Sequence, residues 1–339
     1  LILLLCMIPS MIEGFDIVVI AYTAPASSQD WGITTNAMGM VFSAGVFGMT
    51  LGAMLLAWLA DRHGRRLVVS GSLIVAGLAT SGVIYAETIN QLAILRVAAG
   101  LALGVMVATL PALVGEFSPR KHRTLIIAVL IASANIGGFV GGQILAVVIA
   151  DVGWQNIFLA AGLITIALGV LVLLLVPETV AYTIRRNAEH ALEVVNRTLV
   201  AIGQQAVAQL PVIPEESRNE SATVVSLLTP ARRKATLLCW TAFFLSFLVV
   251  YFVSSWMPQV LTGAGLSQQQ AIQGATALPL GAIFGNMLIG GLAIRWGLNR
   301  PIVIAFLSGT AFMVCMSAIL PGIESVPFTV IWVMLFVIG

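Results

Sequence analysis

Three ionisable residues lie inside long apolar segments of the sequence, where a charge is costly: Glu13, Asp16 and Arg96. Glu13 and Asp16 are three residues apart, which places both carboxylates on one face of a helix. Two carboxylates this close repel each other when both are ionised, so we expect one of them to exchange a proton. The guanidinium of Arg96 is suited to bidentate capture of a carboxylate.

Two roles are open for this charged group. In the first, protonation of the acid pair frees or reshapes the Arg96 site, which then accepts the carboxylate of an organic anion. Proton and anion are released together on the side with the higher pH. In the second role, one acid pairs with Arg96 only as a structural strut. The first role is the one that a proton-coupled carrier needs.

Polar and aromatic residues elsewhere in apolar segments are further candidates for the same pathway. They are Tyr22, Asn135, Tyr251, Trp256 and Asn286. An aromatic substrate would stack on such rings. The alternative for the two amides is hydrogen bonding between helices. The alternative for Tyr22 and Trp256 is a place in the aromatic belt at the membrane surface.

The composition shows what kind of protein must position these residues. Of 339 residues, 59% are hydrophobic and 9% are charged, against about 25% charged in a soluble domain. The mean hydropathy of +1.04 excludes a water-soluble globule, and a net charge of +2 is too small for a nucleic-acid binder. No metal-ligand spacing, nucleophile–base pair or phosphate-binding loop occurs, so we expect neither an enzyme nor a bound cofactor or metal.

Apolar runs of about 20 residues predict an all-α polytopic membrane protein. The predicted spans are 1–25, 36–60, 67–86, 91–115, 124–150, 155–176, 236–261, 269–293, 301–320 and an incomplete 326–339. They define a six-helix bundle over 1–176, a central loop over 177–235 and a second, truncated bundle over 236–339. Because both ends of the chain lie inside apolar runs, we expect it to be a fragment.

Basic residues are confined to alternate loops. All of the 16 Lys and Arg residues except Arg96 follow the second, fourth, sixth or eighth span. The other loops carry Asp30, Glu87, Asp151 and Glu324 and no basic residue. By the positive-inside rule this predicts a multi-pass protein of the inner (plasma) membrane, with its N-terminus and central loop in the cytoplasm.

An internal repeat relates the two halves. Residues 57–66 close the second span, and residues 290–299, 233 positions later, close the eighth with Leu, Ala, Arg and Gly in register. Ile294 replaces the acid of the first copy and Leu298 replaces an arginine. Homologous halves joined by a long inner loop are typical of secondary transporters built from parallel repeats.

Several motifs make the sequence resemble the major facilitator superfamily. Leu59-Ala60-Asp61-Arg62-His63-Gly64-Arg65-Arg66 is similar to the superfamily's signature between spans two and three, and Arg96, Gly100 and Gly104 match a second motif. Glu13-Gly14-Phe15-Asp16 resembles the signature of the aromatic acid:proton symporters, as does Tyr251 with Trp256-Met257-Pro258. The resemblance implies twelve helices in two six-helix bundles, with about nine and a half present here and the substrate site between the bundles.

The same resemblance implies that the loop after span two is a cytoplasmic gate. The gating residues would be Asp61, Arg62, Gly64, Arg65, Arg66, Glu116 and Arg123. Gly64 allows a tight turn, Asp61 favours a helix N-terminus, and Arg65 can reach an acid such as Glu116. The simpler alternative is that these charges only orient the chain in the membrane. Ile294 predicts that the second copy is the weaker latch.

These inferences lead to one expected function. The protein would import a small aromatic carboxylate by symport with protons, as a monomer in the lipid bilayer, with protons as the coupling ion and no cofactor. A sugar or organic-ion carrier of the same superfamily is an alternative, since an acid pair fits either. A transporter-like membrane sensor, which binds its ligand without moving it, is another.

Overall fold

The computed structural model of the chain describes residues 2–119, 121–179, 182–183, 192–193, 196, 229, 233–297 and 299–339. Over these ranges the chain is helical, with no β-strand. The helices of the first half are α1 (Ile2–Trp31), α2 (Thr35–Leu55), α3 (Leu59–His63), α4 (Arg65–Ser81), α5 (Ile89–Phe117), α6 (Arg123–Val152) and α7 (Trp154–Leu175). Those of the second half are α8 (Arg233–Gly263), α9 (Gln268–Ala275), α10 (Ala277–Trp296), α11 (Asn299–Ile319) and α12 (Phe328–Ile338).

The predicted number of spans is confirmed. Nine helical segments within the described ranges are long and apolar enough to cross a membrane, and α12 is a shorter apolar helix. The predicted end of the first span at residue 25 is wrong, because α1 continues to Trp31. Its polar last turns are stabilised by packing, since the Trp31 ring meets the Trp154 ring edge-on with centroids 4.9 Å apart.

Two compact units make up the chain: Leu1–Tyr182 with Ser255–Gly339, and Thr183–Ser254. In the first unit α1 packs on α6, α2 on α5 and α4 on α7, while α9 and α10 contact α6. Most of the predicted central loop, 177–235, lies outside the described residues, so the predicted domain boundaries stay a prediction.

Glycines allow the paired helices of the first unit to approach closely. A Cβ atom at Gly14 would overlap the backbone of Ala134, and one at Gly137 would overlap the carbonyl of Met11. Gly100 and Gly104 of α5 meet the backbone of α2 in the same way. Such contacts fix α1 against α6, so the helix that carries Glu13 and Asp16 has a defined position in the bundle.

Candidate functional site

Asp16, Thr80 and Arg96 form a hydrogen-bonded cluster from three different helices, α1, α4 and α5. Arg96 Nη1 donates to Asp16 Oδ2 over 3.4 Å, and Arg96 Nη2 donates to Thr80 Oγ1 over 3.0 Å. Thr80 Oγ1 in turn donates to Asp16 Oδ1 over 2.9 Å. The structure therefore brings Asp16 and Arg96 together and adds a hydroxyl between them.

The cluster is buried in the bundle at about the middle of α1. Asp16 is about 22 Å of helix from either end of α1, at 1.5 Å per residue. The Arg96 side chain is 3% exposed, and its guanidinium carbon lies 5.0 Å from the centroid of the Phe158 ring of α7. A cation over an aromatic face is stabilised by the ring's electrons, so Phe158 supports the guanidinium from a fourth helix.

The hydrogen bonds of Arg96 leave it able to bind a further group. Its Nε is buried and has no partner among the described residues. The 3.4 Å contact with Asp16 is longer than the 2.7–2.9 Å that is typical of charge-assisted hydrogen bonds. The unpartnered Nε and the long contact with Asp16 leave the guanidinium of Arg96 with hydrogen-bonding capacity that its described partners do not use.

Glu13 lies one helical turn before Asp16 and is buried to the same degree. It forms no hydrogen bond or ion pair with any residue in the described part of the chain. Its neighbour Gly14 is pressed against Ala134 of α6, which holds this turn of α1 in position. Glu13 is therefore a buried acid whose charge has no local compensation.

Two of the aromatic candidates are packed inside the bundle. Tyr22 is 1% exposed, and its hydroxyl donates to the carbonyl of Gly138 over 3.5 Å. Trp256 is half-buried and meets the Phe42 ring edge-on with centroids 5.2 Å apart. Both rings belong to or pack against the hydrophobic core that also contains Phe158.

The other three predicted pathway residues, Asn135, Asn286 and Tyr251, make no contact with the Asp16–Thr80–Arg96 cluster that the structure describes. Asn135 is half-buried on α6 and Asn286 is exposed on α10, and neither amide forms a hydrogen bond to a described residue. Tyr251 belongs to the unit Thr183–Ser254, where its ring stacks on Phe247 with centroids 6.0 Å apart. The lining of a substrate pathway by these three residues stays a prediction.

The loop between α3 and α4 contains a tight turn and is tied to α5 by an ion pair. Gly64 adopts a φ of +97°, a region that favours glycine. Arg65 Nη1 forms an ion pair with Glu116 Oε1 and also donates to the carbonyl of Ala112 over 3.3 Å. This ties the start of α4 to the end of α5, and it is the contact that the sequence predicted for Arg65.

The acid at the N-terminus of α4 is Glu178, whereas Asp61 lies at the N-terminus of the short α3, in agreement with its predicted place at a helix N-terminus. Glu178 Oε1 accepts hydrogen bonds from the backbone N–H groups of Arg65 at 3.0 Å and Arg66 at 3.3 Å. Such N–H groups have no partner within their own helix, and the helix dipole favours a negative charge there. Asp61 lies instead in the first turn of the short α3 and is exposed.

The other predicted gating residues make fewer contacts. The Arg62 guanidinium lies 5.9 Å from the centroid of the Trp58 ring, and its carbonyl accepts from the hydroxyl of Tyr182 over 3.4 Å. Within the described residues, Arg66 contributes its backbone N–H and no side-chain hydrogen bond. Arg123 begins α6, is exposed and forms no ion pair with a described residue. A gating role for these side chains stays a prediction.

The second copy of the loop repeats the backbone turn. Gly297, 233 residues after Gly64, also has a positive φ, of +74°, between α10 and α11. The Leu298 position and the Ile294 side chain lie outside the described residues, so the relative strength of the second latch stays a prediction.

Sequence patterns missed three residues of these sites: Thr80, Phe158 and Glu178. Hydroxyl and aromatic side chains are common in membrane helices, so neither Thr80 nor Phe158 stands out in the sequence. The segment Pro177-Glu178-Thr179, which follows the sixth span, is also similar to many members of the superfamily that the sequence resembles, but the sequence assigned no role to the Glu178 side chain. No group of three His, Cys, Asp or Glu side chains in the described ranges could hold a metal ion.

The part of the chain that the structure describes has nine helices of membrane-spanning length, which makes it a polytopic membrane protein. The family model for the Major Facilitator Superfamily matches residues 6–339, and the chain belongs to this superfamily. It is therefore a transporter with the major facilitator fold.

Similar proteins extend this result. The chain is 31% identical over 319 residues to the gallate transporter of Pseudomonas putida, covering 94% of this chain and 71% of that protein. It is 30% identical over 317 residues to the 4-hydroxybenzoate transporter PcaK of Pseudomonas aeruginosa, covering 93% and 70%.

A solved structure shows the same fold. The partially occluded, inward open conformation of the xylose transporter XylE from E. coli aligns with a TM-score of 0.72. The match has 15% sequence identity and covers 99% of this chain and 84% of that one.

Proposed function

We propose that this protein imports a small aromatic carboxylate by symport with protons, through alternating access across the inner membrane. The observation that carries the proposal is the buried Asp16–Thr80–Arg96 cluster, in which a carboxyl group and a guanidinium from different helices lie together inside the bundle. The aromatic substrate class is supported by the similarity to proteins named as gallate and 4-hydroxybenzoate transporters.

The cluster suggests how proton and substrate are coupled. While Asp16 is ionised it neutralises Arg96, and the guanidinium has little attraction left for an anion. When Asp16 takes up a proton, that attraction is released and the substrate carboxylate binds Arg96 in its place. On the inner side, where the pH is higher, loss of the Asp16 proton restores the pair and displaces the anion. Glu13, one turn away, is the second acid available for protons.

The latch at Arg65, Glu116 and Glu178 belongs to the same proposal. These contacts connect α4, α5 and the segment after α7 at the surface that we assign to the cytoplasm. Breaking and remaking them would accompany the change between outward-open and inward-open states. The proposal includes a monomeric protein with its N-terminus and central loop in the cytoplasm and with protons as the coupling ion.

The test uses the full-length protein in proteoliposomes with an alkaline interior. Labelled 4-hydroxybenzoate and gallate should accumulate, a protonophore should abolish accumulation, and labelled xylose should not be taken up. The variant Asp16→Asn should lose proton-driven accumulation by at least roughly tenfold, because an amide carries no exchangeable proton in this pH range.

Each alternative predicts a different result. A sensor would bind a carboxylate, seen as a thermal shift, without counterflow of label. A sugar carrier would accumulate xylose and neither acid. Undiminished proton-driven accumulation by Asp16→Asn would contradict the proposed role of Asp16.

A further inference from the structure

The hydroxyl of Thr80 is the better-formed link between the two charges of the buried cluster. It lies 2.9 Å from Asp16 Oδ1 and 3.0 Å from Arg96 Nη2, whereas the direct contact between Asp16 and Arg96 is 3.4 Å long. Thr80 is 1% exposed, so water does not compete for these bonds. Thr80 comes from α4, a helix that carries neither charge.

The donors and acceptors on the three side chains determine the direction of both hydrogen bonds made by the Thr80 hydroxyl. A guanidinium can only donate, so Thr80 must accept from Arg96 with a lone pair. The single hydroxyl proton is then free to point at Asp16, and an ionised carboxylate accepts it. Thr80 thus satisfies both charges at once, and a side chain of the same shape without the hydroxyl could satisfy neither.

Protonation of Asp16 changes the contacts of its carboxyl group but leaves the hydrogen bond between Thr80 and Arg96 available. A neutral Asp16 no longer holds Arg96 by charge, but Thr80 can still accept from Nη2 and the Phe158 ring still lies against the guanidinium. The Thr80 proton can then turn toward a carbonyl of its own helix, as the hydroxyl of Thr165 does toward Ala161 at 2.8 Å. Arg96 would therefore keep its place.

We propose that Thr80 is a positioning residue that holds the Arg96 guanidinium in place while Asp16 gains and loses its proton. The anion site then keeps its shape in both protonation states. This inference rests on the proposed function in one respect, namely that Arg96 binds the carboxylate of the substrate.

The first experiment measures carboxylate uptake by the full-length protein with three variants: Thr80→Val, Thr80→Ser and Thr165→Val. We expect Thr80→Val to raise KM about tenfold, the effect of losing one hydrogen bond to a charged group, with kcat changed less than KM. Thr80→Ser should restore KM, since it restores the hydroxyl. Thr165→Val removes a buried hydroxyl bonded only to its own helix and should leave KM unchanged.

Two results would overturn the proposal in this experiment. One is an unchanged KM in Thr80→Val. The other is equal impairment of Thr80→Val and Thr80→Ser, because it would show that the shape of the side chain matters and its hydroxyl does not.

A second experiment does not depend on transport. The thermal unfolding midpoints of Thr80→Val, Asp16→Asn and the double variant form a double-mutant cycle. We expect the combined loss to be smaller than the sum, because each change disrupts the same network, while Thr165→Val and Asp16→Asn should add. Additive effects of Thr80→Val and Asp16→Asn would show that Thr80 and Asp16 are not coupled and would overturn the proposal. If the wild-type protein moved no aromatic carboxylate, the proposed function would fail, and coupling in the cycle would still support the link.

Discussion

The two buried acids of α1 differ in what surrounds them, although they are one turn apart and equally buried. Asp16 accepts hydrogen bonds from Thr80 and Arg96. Glu13 forms neither a hydrogen bond nor an ion pair with a described residue. Removing the charge of Asp16 therefore leaves the buried guanidinium of Arg96 without its counter-ion. Removing the charge of Glu13 leaves no described group without a partner.

We expect the two isosteric substitutions to have unequal effects on stability. Asp16→Asn should lower the free energy of unfolding by about 3 kcal/mol, because it leaves Arg96 as an uncompensated buried charge. Glu13→Gln should change it by less than about 1 kcal/mol, since no partner is lost. Unfolding of the purified protein at neutral pH measures both values.

Glu87→Gln is the matched control for this comparison, because Glu87 is exposed and loses only a surface charge. A Glu13→Gln variant as unstable as Asp16→Asn would show that Glu13 takes part in the ion-pair network after all.

At the scale of helices, close backbone contact determines how α1 is held. Gly137 of α6 faces the carbonyl of Met11, and an added Cβ would overlap that backbone atom. Gly285 of α10 follows Gly281 by four residues, the same spacing that separates Gly137 from Gly141, yet no atom of the described chain lies within 4 Å of the Cβ position at Gly285. The same sequence spacing thus has two different structural meanings.

Alanine substitutions at the two glycines should have opposite signs. Gly137→Ala should lower the free energy of unfolding by about 2 kcal/mol, because the backbone of α1 must move away. Gly285→Ala should raise it by up to about 1 kcal/mol, because alanine favours a helix more than glycine does. The midpoints of unfolding compare the two variants. An unchanged midpoint in Gly137→Ala would contradict the close contact at Gly137, and a lowered midpoint in Gly285→Ala would contradict the open space at Gly285.

The sequence predicts a site residue well only when that residue type is rare in membrane helices. Charges inside apolar segments are few, so the sequence alone predicts that Arg96 meets an acid of the first span, but it does not decide between Glu13 and Asp16. Thr80 and Phe158 are residue types that any membrane helix contains, and only the packing of α4 and α7 reveals their role. Similarly, length and hydropathy predict the spans, but the last turns of α1 depend on the contact between Trp31 and Trp154.

At the scale of the whole molecule, the basic residues of the loops and the internal repeat favour the same orientation in the membrane. The two positive-φ glycines, Gly64 and Gly297, lie in equivalent turns of the repeat. Each turn follows a span that ends among basic residues, so we propose from the positive-inside rule that both turns face the cytoplasm. This assignment is what connects the Arg65–Glu116 latch to the inner face and not to the outer one.

Cysteine labelling tests this orientation directly. In a full-length background with Cys6, Cys239 and Cys315 replaced by serine, the variants Glu87→Cys and Lys121→Cys each place one thiol at an exposed loop position. A membrane-impermeant maleimide added to intact cells should label position 87, because that loop carries no basic residue. It should label position 121 only after the membrane is opened, and the cysteine-free background should stay unlabelled. The reverse pattern would place the latch outside and contradict its role as a cytoplasmic gate.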